Sequence, residues 1–469
     1  MPEKYHIATS PVSPRRPRIG KFGVVDWRED CARCHNCVKK ACVYDRYRQE
    51  MDYIRGLRQD LSALFFDCMG CFSCVQECTK ALLRLSINPE YQKLGNRYWT
   101  PDILLTTWNQ AETAKIPVSG AGYRGRFSGP GFDSMWLDMS EIVRPTRDGI
   151  HGREYISTAV DIGGKFAHLD VEKKQDAAKI PTLLNIPLPL LIDLMPADYP
   201  VPQLEPALMK VAQRTGTLAL IDARKWPDLK KTAKGNLKNI AFYLGSGVSP
   251  VAPEILAKTR LVEIADGPDV QPRIEQLKKA HPRLIVAVRV PLDAYGVERA
   301  LELGKTAVEV IHVVADDKGD EIGVAQPRFL KDMIRQIHTG LVKNGRRDEV
   351  TLIAGGGIAL AEHMAKAVIC GADVVSISLP LLVALECRLC PSCGNNSGCP
   401  AQLETLPQDY AVGRMTNLLS AWHGQLIEVM GAMGMREVRR LRGEAGRAMF
   451  FEDLEDQTFG KLFGRRKRA

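Results

Sequence analysis

Twelve of the thirteen cysteines fall into three tight quartets. The first is Cys31, Cys34, Cys37 and Cys42, the second Cys68, Cys71, Cys74 and Cys78, the third Cys387, Cys390, Cys393 and Cys399; Cys370 stands apart. A loop opening C-x2-C-x2-C offers three thiolates to a cubane iron–sulfur cluster, and the fourth comes from nearby backbone or a sister loop. Three such loops predict a chain that moves electrons one at a time. Paired structural zinc sites are the alternative for the first two quartets, but zinc has no use for the third close cysteine of each loop.

A second group of candidates sits where apolar runs end. Gly355, Gly356 and Gly357 close one run and lead into a helical stretch, so their backbone N–H groups can approach a phosphate and the helix dipole adds to the attraction. The next run ends in Ser376 and Ser378, whose hydroxyls and amides face the same place. A glycine triplet alone is as readily a tight turn. Asp222, Glu263, Asp266, His312 and Asp316 also end runs; each can equally be a helix cap or a solvated loop charge. His312 is the foremost candidate for a cofactor neighbour or proton relay.

The elements that must position these residues begin near residue 181. Apolar or β-branched runs recur at 183–194, 217–222, 239–244, 261–265, 284–290, 308–314, 350–354 and 373–378. Amphipathic stretches separate most of them, among them Glu254–Thr259, Ile274–Ala280, Ala294–Leu303, Arg328–Lys343 and Leu360–Cys370. Eight such units predict an α/β fold of the (β/α)8 TIM-barrel class over 181–400, with chemistry at the C-terminal strand ends and a phosphate site after strands seven and eight. An open doubly wound sheet competes, but no early G-x-G-x-x-G supports it. Ahead of the barrel, 1–25 reads as a basic disordered tail and 26–90 as a cluster-bearing module, with a helical stretch from Tyr44 to Phe66. Residues 91–180 read as an irregular wrapping segment, and 401–469 as a helical extension with the apolar stripe Leu418, Ile427, Met430 and Met433 and a basic tail.

The length of 469 residues suits two or three domains, and the 45% apolar content suits a packed core. The net charge of +9 resides in the ends: Lys4, Arg15, Arg16, Arg18 and Lys21 against Glu3, then Lys461, Arg465, Arg466, Lys467 and Arg468. A nucleic-acid binder carries its charge on a folded face, so nucleic acid is not an expected partner. The basic ends are solvated, or dock to an acidic protein or anionic lipid. Cysteines spaced for metal imply a reducing compartment, and no signal peptide precedes them, so a cytoplasmic location is expected. The runs near 183–195 and 374–385 are broken by Pro187, Pro189, Asp193 and Pro380, short of the roughly 18 residues of a spanning helix.

Two resemblances sharpen this picture. Residues 26–90 resemble two-cluster bacterial ferredoxins, although the first run is one residue longer and no proline follows Cys42 or Cys78. The resemblance implies two [4Fe-4S] clusters with crossed ligation, Cys31, Cys34 and Cys37 with Cys78, and Cys68, Cys71 and Cys74 with Cys42. From about 280 to 445 the chain resembles the FMN-binding synthase domain of the glutamate synthase family, in the archaeal-type, stand-alone branch. The glycine turn, the strand Gly371–Ile377, and the loop from Glu386 to Pro400 follow in that family's order, as does the stretch Glu428–Val438. The resemblance implies FMN phosphate contacts at Gly355, Gly356, Gly357, Ser376 and Ser378. It also implies a cluster on Cys387, Cys393 and Cys399, of [3Fe-4S] type or, with the added Cys390, [4Fe-4S]. Arg289 stands where the family has a lysine near flavin and substrate, and a cation there stabilises a reduced, anionic flavin.

Departures are visible too. The family's methionine–serine–phenylalanine–glycine turn is replaced by Leu191–Asp198, and its G-T-G-A loop by Ala315–Glu321. No cysteine nucleophile follows Met1, so ammonia is expected free or from another subunit. The reaction the resemblance implies is reductive amination of 2-oxoglutarate, with electrons passing from clusters to FMN and with Arg289, His312 and Asp316 as candidate catalytic groups. The expected partners are a redox protein, either ferredoxin or an NAD(P)H-oxidising flavoprotein subunit, within a hetero-oligomer, and a small 2-oxo acid. An electron-transfer subunit of a larger redox complex is the alternative. A scaffold without flavin would leave the glycine triplet and the cysteine loops unexplained.

Overall fold

The computed structural model describes residues 5–16, 19, 21–26, 34, 36, 73–81, 83–116, 118–119, 122–123, 129–138, 156–165, 181–196, 201, 204–233, 237–246, 252–390 and 398–464. Cys31, Cys37, Cys42, Cys68, Cys71 and Cys393 lie outside these residues, as do the stretch Tyr44–Phe66 and the basic run Arg465–Arg468.

Eight parallel strands close a barrel. They are β1 (Leu190–Ile192), β2 (Ala219–Asp222), β3 (Ile240–Tyr243), β4 (Leu261–Ala265), β5 (Ile285–Pro291), β6 (Val310–Val314), β7 (Thr351–Gly355) and β8 (Val374–Ile377). Each is followed by its helix: α1 (Leu204–Thr215), α2 (Trp226–Ala233), α3 (Pro253–Leu256), α4 (Val270–Ala280), α5 (Gly296–Gly304), α6 (Leu330–Lys343), α7 (Ala361–Cys370) and α8 (Leu379–Ala384). Strands covered on both faces read as continuous apolar runs, which is why all eight were visible in the sequence. Closure comes from β8 pairing with β1, Ser376 beside Leu191 and Ile377 beside Ile192.

One run divides. Pro187 and Pro189 cannot donate to a ladder, so the stretch 183–194 breaks between them. Its first part, Leu183–Ile186, pairs antiparallel with Val160–Gly163. This hairpin lies at the N-terminal end of the barrel, where Thr351 Oγ1, at the start of β7, donates to Gly163 O at 2.9 Å. Only the second part becomes β1.

A further helix, α9 (Gln408–Ala432), packs across α1 and α7 on the outside of the barrel. It buries Leu418 and Met430, and Met433 follows just past its end, while Ile427 is half-buried. All ten residues of α7 are buried, because α6 flanks it and α9 covers it. The segment expected to be irregular holds a thirteen-residue helix, Pro101–Thr113, which starts on a proline at N1 and packs against α9 and α8.

The N-terminal arm is also ordered where it is described. Asn417 Nδ2 donates to Ser10 O at 2.8 Å, Val12 N to Glu112 O at 2.9 Å, and Arg15 N to Glu386 Oε1 at 3.1 Å. Residues 10–15 are thus hydrogen-bonded to α9, to the helix Pro101–Thr113 and to Glu386, so this part of 1–25 is not the disordered tail expected. Among the described residues no helix is long and apolar enough to cross a membrane.

Candidate active site

The polar groups at the C-terminal ends of the strands form a closed ring. Arg289, on β5, reaches Asp193, just beyond β1, through Nη1 at 2.9 Å and Nη2 at 3.2 Å. The same Nη1 donates to Glu263 Oε1, on β4, at 2.9 Å. Glu263 Oε2 lies 2.7 Å from His312 Nδ1, on β6, and His312 Nε2 lies 2.8 Å from Ser376 Oγ, on β8. Ser376 Oγ closes the ring by donating to Asp193 Oδ2 at 2.9 Å. Side chains from five strand ends, distant in sequence, meet because the barrel aims their Cβ atoms at one axis.

Proton accounting specifies the state of the ring. Carboxylates only accept. Nη1 spends both hydrogens on Asp193 and Glu263, so the short contact at His312 Nδ1 needs a proton on that nitrogen. The Ser376 hydroxyl gives its hydrogen to Asp193, so Nε2 must donate to Ser376 Oγ. Every contact is satisfied when His312 carries protons on both nitrogens, and guanidinium plus imidazolium then balance the two carboxylates. Burial alone would raise the Asp193 carboxyl, but Arg289 and His312 beside it hold it at about 2. Burial would likewise lower the Arg289 pKa, and Asp193 and Glu263 outweigh it and raise it. The Arg289 guanidinium also lies 5.9 Å from the centre of the Tyr243 ring, at the end of β3.

A cavity of about 190 Å³ opens above the ring. Asp193, Arg289 and Ser376 face it, with Gly356, Gly357, Ser378 and Trp99 completing its polar and aromatic walls. Glu263 and His312 stand behind them, both essentially buried. Among the described residues lining the cavity, Arg289 is the sole cation, and its charge is already shared by two carboxylates.

The glycine triplet answers to several demands. A Cβ on Gly355 would run into Ser376 Oγ, so this glycine makes room for the ring. Gly356 has φ +96°, and its Cβ would stand 2.6 Å from Asp316 O; a Cβ on Gly357 would stand 2.6 Å from Gly319 N. The loop after β6 therefore packs on the triplet from one side, while Gly356 and Gly357 face the cavity on the other. Backbone amides and the Ser378 hydroxyl suit the phosphate end of a nucleotide-like cofactor, whereas the Ser376 hydroxyl, expected to join them, is engaged by Asp193 and His312. The volume is below the roughly 300–1,000 Å³ of pockets that enclose whole ligands. The loops leaving β1 and β3, 197–200 and 247–250, lie outside the described residues.

Other sequence candidates fall elsewhere. Asp316 Oδ1 accepts the N–H groups of Lys318 and Asp320 at 2.9 and 2.7 Å, which makes it a loop cap and not a group aimed at the cavity. Asp222 caps Arg224 N and pairs with its guanidinium, and Asp266 pairs with Arg299 at 2.8 Å. Sequence reasoning missed Asp193 as a site residue; its one signal was an acid inside the apolar run Leu190–Leu194. Of the third quartet, Cys387 is buried, and Cys390 and Cys399 are half-buried. Among the described residues no three His, Cys, Asp or Glu side chains converge as metal ligands, and Cys393 is not among them.

Residues 90–99 join these regions. Gly95 N donates to Arg388 O at 2.9 Å, inside the third cysteine loop, and Arg388 Nη1 lies 3.7 Å from Glu90. Tyr98 Oη then donates to Gly357 O, and Trp99 Nε1 to Asp317 O at 2.8 Å.

Residues 248–436 match the family model described as the conserved region in glutamate synthase. The archaeal-type glutamate synthase (NADPH) of Dehalococcoides mccartyi is 24% identical, over 90% of this chain and 93% of the relative. The archaeal glutamate synthase (NADPH) of Archaeoglobus fulgidus is also 24% identical, over 93% of this chain and 96% of the relative. That of Methanocaldococcus jannaschii is 26% identical over 74% of this chain and 81% of the relative. A solved mandelate oxidase covers 63% of this chain and 90% of its own with a TM-score of 0.40 and 17% identity, too distant a likeness to bear on chemistry. The chain thus carries the conserved region of glutamate synthase over residues 248–436, from ahead of β4 to just past α9, and is similar to archaeal-type glutamate synthases along most of its length.

Proposed function

We propose that the protein is an FMN- and iron–sulfur-dependent oxidoreductase. The observation that carries this reading is the contact path along residues 90–99, from the third cysteine loop at Arg388 to the cavity at Gly357 and Asp317. Gly356, Gly357 and Ser378 would hold the phosphate end of FMN. Bound there, FMN supplies the exchange between one-electron carriers and two-electron hydride chemistry. Ser376 Oγ links the cavity to the proton on His312 Nε2, while Glu263 fixes the orientation of the imidazole from behind.

The cysteine quartets would hold the electron-carrying clusters. Phe22–Asp26 pairs with Leu83–Ile87, which clamps the chain entering the first quartet against the chain leaving the second. Cys34 Sγ lies 3.9 Å from Thr79 Oγ1, next to Cys78, a proximity that supports crossed ligation. Reductive amination of 2-oxoglutarate is the reaction that the names of the relatives favour. Protein purified without oxygen should carry FMN and about 11–12 irons per chain. It should form glutamate from 2-oxoglutarate and ammonia when supplied with reduced ferredoxin or a partner flavoprotein. A colourless chain holding zinc and no flavin would overturn the reading.

One observation favours a second reading. A dicarboxylate needs free cations, and Arg289 is committed to Asp193 and Glu263. An electron-transfer subunit of a hetero-oligomeric redox complex has no such need. Flavin reduction without amination, in a preparation that retains its redox partners, would select it.

A further inference from the structure

A second cavity, of about 230 Å³, lies at the N-terminal end of the barrel, opposite the ring. Lys165, Arg439 and Arg442 line it together with Asp161, Asp348 and Asp373. Asp373, just ahead of β8, is buried and draws three cations. Arg347 Nη2 donates to Oδ2 at 2.7 Å, Arg442 Nη1 donates to Oδ1 at 3.0 Å, and Lys165 Nζ stands 3.7 Å from Oδ1. The last distance is too long for a hydrogen bond, and among the described residues Lys165 Nζ has no hydrogen-bond acceptor. Arg439 pairs with Asp161 at 2.9 Å and Arg442 with Asp348 at 2.6 Å. Four cations thus meet three carboxylates, an excess of one positive charge. The other acids adjoining these residues do not remove it: Glu309 is held by Lys278, Glu349 by Arg346, and Glu437 faces Arg440. His338 accepts a hydrogen bond from Arg347 Nε at 3.0 Å, so its ring is neutral and adds no charge.

We propose that this cavity binds inorganic phosphate among Lys165, Arg439 and Arg442. The Lys165 side chain is only 25% exposed and its three ammonium hydrogens are unspent, so an anion there satisfies donors that the protein leaves open. Burial lowers the Lys165 pKa, Asp373 offsets this only in part, and Arg442 and Arg347 add to the fall; a bound anion acts in the opposite sense. The carboxylates on the same walls decide which anion. A carboxylate or sulfate only accepts hydrogen bonds and would face Asp161 and Asp348 lone pair to lone pair. Phosphate near neutral pH keeps a hydroxyl, so it can accept from Lys165 and the arginines and donate to an aspartate. A phosphate ester has a second pKa near 6 and has mostly lost that hydroxyl at pH 7. The volume is below the roughly 300–1,000 Å³ of pockets that enclose larger ligands, which suits an ion and not a nucleotide. The site needs neither flavin nor cluster.

The test is equilibrium dialysis of the full chain against radiolabelled inorganic phosphate at pH 7, with sulfate, acetate and glycerol 3-phosphate as competitors. Phosphate should bind, and each competitor should displace it only at about tenfold higher concentration or more. Lys165→Met and Arg439→Gln should each weaken this binding about tenfold or more. The Arg439 side chain is 50% exposed, so Arg439→Gln keeps the test decisive even where Lys165→Met fails to fold. Phosphate should also raise the thermal transition of the parent and leave that of Arg439→Gln in place. Absence of phosphate binding overturns the proposal. Binding unchanged in Arg439→Gln overturns it as well, because phosphate held at the barrel mouth or elsewhere would persist in that variant. Sulfate, acetate or glycerol 3-phosphate competing as well as phosphate itself would show an unselective anion site and equally overturn it.

Discussion

Arg289 holds Asp193 with both terminal nitrogens, at 2.9 and 3.2 Å, across the mouth of the barrel. The pair joins the fifth strand to the residue after the first, and its partners Glu263, His312 and Ser376 convert it into a ring. A cation so engaged orients and neutralises; it is not free to receive an anionic substrate without first releasing a carboxylate.

Removing one member should therefore cost more than removing the pair. Asp193→Ala leaves the buried Arg289 with one partner and Ser376 without its acceptor. We expect a loss of about 3–5 kcal/mol in urea unfolding. The double variant D193A/R289M should recover much of it, because no unpaired charge remains. A D193A protein within about 0.5 kcal/mol of the parent would show that the ring contributes little to the fold.

Gly356 and Gly323 separate close packing from backbone preference. Both have positive φ, but a Cβ at 356 would press on Asp316 O, whereas nothing lies within 4 Å at 323. Gly323→Ala should cost about 1 kcal/mol. Gly356→Ala should cost about 2–4 kcal/mol and shift the loop after β6. Equal thermal shifts for the two variants would contradict the packing of that loop on the triplet.

Acid should weaken the protein in two windows. Burial, then Arg347 and Arg442, push His338 from 6.5 down to about 4, so unfolding takes up a proton between those values. Its share of stability is complete above pH 6.5 and is lost as pH falls toward 4, on the order of 2–3 kcal/mol. Asp193, held at about 2 against an ordinary 3.8, contributes above pH 3.8 and loses its share as pH falls through about 2. The melting temperature followed from pH 7 to pH 3 should fall less steeply between 6.5 and 4 in His338→Gln. An unchanged slope would exclude His338 as the titrating group.

Cys370 and Cys387 should part company in metal content. Burial pushes the Cys370 thiol up to about 12, and its Sγ packs 3.8 Å from Met135 Sδ, so we expect it to stay a thiol apart from the cysteine loops. Cys370→Ala should leave the iron of anaerobically purified protein unchanged, and Cys387→Ser should remove about three or four irons. Iron analysis decides; equal losses in both would place Cys370 in a cluster.

What the sequence disclosed depended on whether side chains carried the signal. The eight strands were legible because Val, Ile and Leu covered on both faces form unbroken runs. The division of 183–194 was encoded in Pro187 and Pro189, yet a run of apolar residues around two prolines does not say which half enters the barrel. Glu263 and His312 were legible as polar residues ending strands, but their joint ring with Asp193 exists only once β1, β4 and β6 converge. Helix Pro101–Thr113 was hidden among glycines and prolines on either side. The docking of residues 10–15 was illegible for another reason: much of it runs through carbonyls such as Ser10 O and Val12 O, which every residue type possesses.

That docking has a bearing on biosynthesis. Arg414 and Asn417 of α9 bind carbonyls of the first dozen residues, and β1 cannot close the barrel until β8 exists. During translation residues 10–12 must wait, uncovered, for partners emitted about four hundred codons later. Ribosome-bound intermediates of this chain should consequently be the species most in need of chaperone shelter.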